Sequence, residues 1–335
     1  MEIKKSILKA YPFYLHEVRE VTHRVSYAKT RDGTELAIKK IPKDSEEIHQ
    51  WIFAYQQARS NRLQGFMPVY TTPKGEPFTQ DQDHFYYVMP WIHEIEENEA
   101  PLKKMLQALA RIHKGTQAES DSEIDESIHH LIQNEHERVK QEEPQWEKIV
   151  SYYEQKHYIS PNGFLLLMNY PLLMESRKSL DYWYDQWERD EEEHDHLRTV
   201  LCHGNLRLSH FKISQKRSYL FSWEKSQMAV PIYDLLRLLR HLFLEHDLSM
   251  EQVISAFEAY ESIFPLSKRE KYLLGYHLSQ PFWFTKQYLT ERKYSQYSSL
   301  SQTRKIQRRV RQLSNSIAFQ SYLKSKLSEQ TEASS

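Results

Sequence analysis

The chain has 335 residues, 39% apolar and 13% aromatic, enough for one large domain or two lobes around a buried core. Its 45 Lys and Arg against 46 Asp and Glu leave a formal net charge of −1, which argues against a nucleic-acid partner, since such binders carry a clear basic excess. The one cysteine, Cys202, leaves no internal disulfide and points to folding in a reducing compartment.

The first residues, MEIKKSILKAYPFYLHE, lack an apolar core and a small-residue cleavage site, so no signal peptide is expected. No apolar run approaches 18 residues, so no membrane span is expected either. The first ninety residues read as strands. FYLHEVREVTHRVSYAKT and ELAIKKI flank the turn Arg31-Asp32-Gly33-Thr34, a hairpin signal. Residues 45–60 read as a helix with Ser45 as N-cap. FMPVYTT and HFYYVMPWI read as two further strands. Beyond residue 100 the pattern turns helical: Leu102, Met105, Leu106, Leu109, Ile112 and His113 recur at helical spacing. GFLLLMNYPLL is apolar and ambiguous in type. TVLCHGNL and YLFSWEK are short apolar runs flanking a hairpin-like stretch at 212–219. IYDLLRLLRHLF is strongly helical, residues 250–290 add two or three helices, and 328–335 read as a disordered tail.

The segment that carries chemical information is His203-Gly204-Asn205-Leu206-Arg207-Leu208-Ser209-His210, followed by Ser222-Trp223-Glu224 and Tyr233-Asp234-Leu235. It resembles the catalytic block of aminoglycoside/choline kinase-like phosphotransferases, H-G-D-L-H-x-x-N, then D-W or D-F, then x-Y-D-L. The spacing matches position by position, and the resemblance extends over roughly residues 10–290. It implies an α+β, protein-kinase-like two-lobed fold. The small strand-rich N-lobe would span 1–90 and the larger, mostly helical C-lobe 91–327, meeting near Pro90-Trp91.

The chemistry departs from that pattern. Phosphoryl transfer uses an aspartate to take or orient the proton of the attacking hydroxyl. Asn205 stands there and cannot accept that proton. Mg²⁺ wants oxygen ligands, supplied in the family by an asparagine and an aspartate. Here those positions hold His210, better suited to transition metals, and Ser222, a neutral hydroxyl. The three positions together carry no carboxylate, so no active catalytic residue and no metal site are expected. Glu224 is the sole acid nearby, offset by two residues along the strand. His203 and Asp234 are expected to hold the catalytic-loop backbone as structural residues.

In the N-lobe, Ala37-Ile38-Lys39 fits the A-x-K whose lysine holds the α- and β-phosphates in the family, although Lys40 is an equal candidate for the inward position. Glu46 or Glu47 would be its acidic partner. Residues 13–32 hold no glycine, so no glycine-rich loop lets backbone amides approach phosphates. Lys39 and Glu47 thus read as remnants of an ATP/Mg²⁺ site, with no working cofactor expected.

Loss of these residues together is similar to the bacterial CotS-like spore coat group. MPWIHE, ALARIHKGT and LCHGNLRLSHFKIS also carry that resemblance. It implies a pseudokinase made in the mother-cell cytoplasm and built into the endospore coat, with other coat proteins as partners. Two alternatives stay open: a small-molecule phosphotransferase with an atypical metal set around His210 and Glu224, and a module binding a nucleotide or metabolite without turnover. His194-Asp195-His196 sits in an acidic run and reads as a solvated face. RKIQRRVR, residues 304–311, reads as a basic amphipathic helix, either a surface helix or a docking face.

Overall fold

The computed structural model describes residues 10–93, 101–119, 122–190, 197–214, 217–245, 247–281 and 300–334. His194-Asp195-His196 lies outside the described residues.

Strands β1 (Leu15–Thr22), β2 (Val25–Thr30), β3 (Glu35–Pro42), β4 (Thr79–Gln80) and β5 (His84–Pro90) form one antiparallel sheet in the order β1-β2-β3-β5-β4. The β2–β3 turn closes on Gly33, whose φ of +89° suits glycine and whose amide donates to the Thr30 carbonyl at 3.1 Å. Alternation splits β3 between two faces. Leu36 and Ile38 pack with Ala28, Val88 and Tyr86 in one apolar cluster, while Ala37 and Lys39 belong to the other face. Both faces are covered, so both sets are buried.

Two expectations here are corrected. FMPVYTT forms only isolated bridges, at Phe66 and Tyr70; Pro68, which has no N–H to donate, interrupts any ladder between them. Helix α1 spans Glu47–Ser60, with Glu46 at the N-cap position and making no side-chain capping bond. Ser45 does not cap it, because its hydroxyl donates to the Pro42 carbonyl at 3.0 Å. Helix α1 is held on the sheet by Trp51, fully buried and stacked on Tyr87 of β5 with ring centroids 4.4 Å apart.

Helix α2 (Pro101–Thr116) follows, its stripe of Leu102, Met105, Leu106, Leu109 and Ile112 buried as its periodicity requires. The chain divides into two compact units. The first comprises 1–116, 201–228 and 262–264, and so includes the sheet, α1, α2 and the hairpin of β8 (Phe211–Ser214) and β9 (Arg217–Leu220), which in chain order follow the short strands β6 (Ala118–Glu119) and β7 (Arg198–Cys202). The second comprises 117–200, 229–261 and 265–335.

The second unit is helical: α3 (Ser122–Glu154), α4 (Pro161–Met168), α5 (Tyr170–Asp190), α6 (Ile232–Glu245), α7 (Met250–Glu261), α8 (Lys268–Leu278) and α9 (Leu300–Ser334). The ambiguous GFLLLMNYPLL is helical, split between α4 and the start of α5. Ser160 caps α4 by accepting from the Gly163 amide at 3.1 Å, and Pro161 sits in its first turn. A reciprocal capping box between Ser267 and Glu270 starts α8. The core gathers Trp183, whose indole N–H donates to Gln320 at 2.8 Å, and Phe319, edge-on to Phe257 at 5.2 Å.

Helix α9 includes the stretch from residue 328 that reads as a tail in the sequence. It runs on to Ser334 because Leu323 and Leu327 stay buried on its inner face, and each further turn costs little once the helix is anchored. Its basic stretch is a surface face: Ile306 is buried while Arg308 pairs with Glu245 at 3.4 Å and Arg311 with Asp247 at 2.5 Å.

Candidate functional site

The catalytic-block positions 203, 205, 210 and 222 come together within the first compact unit, along with Lys39. The turn after β7 (Arg198–Cys202) carries His203, Gly204 and Asn205. Gly204 is required there: its φ is +70°, and an added Cβ would lie 1.8 Å from the Lys225 carbonyl oxygen. His203 is buried and ties two strands of backbone together. Its Nε2–H donates to the Phe221 carbonyl at 2.8 Å, which leaves Nδ1 to accept from the Asn205 amide at 3.3 Å. His210 donates from Nδ1 to the Asn205 carbonyl at 2.9 Å and stacks beside His203 with ring centroids 5.5 Å apart. Burial above all pushes the His210 pKa down to about 4, so it is neutral at pH 7. Asp234 lies buried in the first turn of α6, in the second unit.

Lys39, and not Lys40, is the inward lysine of β3, with 7% of its surface exposed. Its expected partner is corrected. Glu47 pairs instead with Arg24 at 2.7 Å. Lys39 Nζ lies 2.7 Å from Glu224 Oε1 and donates to Ser222 Oγ at 2.8 Å. The same Glu224 oxygen accepts from the Tyr87 hydroxyl at 2.5 Å. Burial pushes the Glu224 carboxyl up, but the Lys39 charge and the two hydrogen bonds outweigh it and hold it below the usual carboxylate range. Burial, with the Glu224 charge behind it, raises the Tyr87 phenol well above its ordinary value. Ser222 adopts φ +72°, uncommon for a residue with a Cβ. Trp223 packs beneath, stacked on Phe66 at 5.1 Å.

Beside this cluster is a cleft of about 310 Å³. Val25, Ala37, Met67, Met89, Trp91, Ile92 and Phe221 give it apolar walls, with Lys39, Lys212, Ser209, Thr22 and Ser222 as its polar groups. The apolar side chains line the space and do not fill it. No Asp or Glu lines it among the described residues. The donor set at 205, 210 and 222 is therefore an amide, an imidazole and a hydroxyl, which does not fit Mg²⁺; the nearby Glu224 carboxylate is engaged by Lys39 and Tyr87.

Sequence reasoning missed Lys212, whose signal was its position on a strand two residues past His210, and missed the walls supplied by residues 89–92 beyond their reading as a boundary. It considered Glu224 only as a substitute for Ser222, and not as the acid that would hold Lys39.

A five-stranded antiparallel sheet followed by a mostly helical region, with an A-x-K lysine facing an H-G-x-L turn, defines a kinase-like phosphotransferase fold. The model for the phosphotransferase enzyme family matches residues 17–272, and the chain belongs to that family. Among solved structures, the chain is similar to an aminoglycoside phosphotransferase from Alicyclobacillus acidocaldarius subsp. acidocaldarius DSM 446, with TM-score 0.72, 16% identity, and 98% of this chain and 97% of that chain covered. It is also similar to spectinomycin phosphotransferase APH(9)-Ia in complex with ADP and spectinomycin, with TM-score 0.52, 12% identity and 97% and 99% covered. A third is the amicoumacin kinase hAmiN, with TM-score 0.51, 12% identity and 93% of each chain covered. At these identities the likeness is one of fold. No curated protein matches the chain.

Proposed function

We propose that this family member is a pseudokinase, retained for binding and assembly rather than phosphoryl transfer, and that it serves as a structural or assembly component of the endospore coat. The observation that carries the first half is the pairing of Lys39 with Glu224 and Ser222 beside a turn whose positions 205, 210 and 222 offer no carboxylate. Transfer depends on electrostatic stabilisation of the phosphoryl group, for which a metal clamp and a correctly placed base are the main devices. The coat assignment is supported by the resemblance of MPWIHE, ALARIHKGT and LCHGNLRLSHFKIS to the CotS-like group. In a sporulating host, a tagged chain is expected in the coat fraction of purified spores, held by other coat proteins; recovery only in the mother-cell cytoplasm would remove that half.

The open cleft favours one further reading, a binding module without turnover. Its apolar walls suit a flat ring, and Lys39 and Lys212 suit an anionic end without a metal. ADP is then expected to raise the melting temperature equally with Mg²⁺ and with EDTA. A shift that requires Mg²⁺ would favour instead the atypical phosphotransferase, for which the relatives of known activity provide the precedent.

A further inference from the structure

A second concavity lies within the same compact unit. The loop after α1, helix α2 and strand β9 wall a cavity of about 500 Å³, within the range of about 300 to 1,000 Å³ typical of small-molecule sites. Leu63, Phe66, Pro68 and Ala108 make its apolar floor. Arg111 from α2 and Arg217 from β9 stand in its wall, both exposed. Neither arginine has an ionic or hydrogen-bonded partner among the described residues. The cavity is held open by backbone: the Leu220 amide donates to the Gly65 carbonyl at 2.7 Å and the Met67 amide to the Leu220 carbonyl at 3.0 Å, fixing the loop to β9.

Charge around it is one-sided. Among the described residues that line it, Arg111 and Arg217 are the charged ones, and both are cations. Such a surface concentrates anions. Guanidinium forks match carboxylate and phosphate bidentately, which ammonium groups do not.

The geometry points to a binding site for a small organic dianion, its apolar body on Phe66 and its acidic groups on Arg111 and Arg217. Calorimetric titration of the full chain with isophthalate and with phenyl phosphate tests it and separates a dicarboxylate from a phosphate ester. Saturable binding of at least one probe is expected, weakened about tenfold or more by Arg111→Gln and by Arg217→Gln, and unchanged by Lys148→Gln on the exposed face of α3. The replaced side chains are exposed, so the variants should keep the native circular dichroism spectrum. Absence of saturable binding by both probes, binding that survives the double Arg variant, loss only in Lys212→Gln, or binding of hexaglutamate alone would each overturn the assignment.

Discussion

Lys39 and Glu224 sit 2.7 Å apart with 9% and 7% of their side chains exposed, so each is the counter-ion the other needs. Removing one leaves a buried charge without compensation. Glu224→Ala is expected to lower unfolding stability by about 3 kcal/mol, and pairing it with Lys39→Met should recover much of that loss in a urea double-mutant cycle. Gly204→Ala meets both a positive φ and the Lys225 backbone, and is expected to cost about 3 kcal/mol. His210 gives a pH signature. Its folded pKa of about 4 lies below the ordinary 6.5, so the unfolded chain takes up this proton first. The stability it contributes is complete above pH 6.5 and is lost as pH falls toward 4. His210→Asn should flatten the fall in melting temperature across that window; an unchanged slope would refute the assignment. At this scale the resemblance to the kinase-like catalytic block singled out 203, 205, 210 and 222 as residues that meet. It did not show that Lys39 would turn to Glu224, because the two residues lie 185 positions apart and only the tertiary fold brings them together.

The elements follow local rules where one face is buried. The stripe of α2 and the alternation of β3 were both readable, because periodicity records which side meets the core. The failures lie where distant contacts decide. FMPVYTT has strand-forming residues but no partner ladder. The polar end of α9 is helical because Phe319, Leu323 and Leu327 are buried against helices far away in sequence. Phe319→Ala is accordingly expected to cost about 3 to 5 kcal/mol, whereas deleting residues 328–335 should change stability by about 0.5 kcal/mol or less. Thermal unfolding of the two variants checks the contrast, and equal losses would mean that the final turns pack as firmly as the middle of the helix.

For the whole molecule, the α+β kinase-like architecture was legible from one catalytic block, since its spacing reflects a turn, a hairpin and a helix that the fold must place in order. Activity is legible only at the site, because a shared fold does not carry chemistry with it. The cleft remains open to a ligand, while its donor groups among the described residues lack the carboxylates that Mg²⁺ and a general base require. The direct test is steady-state ATP turnover by the full chain, with Mg²⁺ or Mn²⁺, in the presence of choline, sugars and aminoglycosides as acceptors. Turnover indistinguishable from buffer, and the same in Lys39→Ala, is the predicted result. Phosphate transfer to any acceptor that disappears in Lys39→Ala would contradict the pseudokinase assignment.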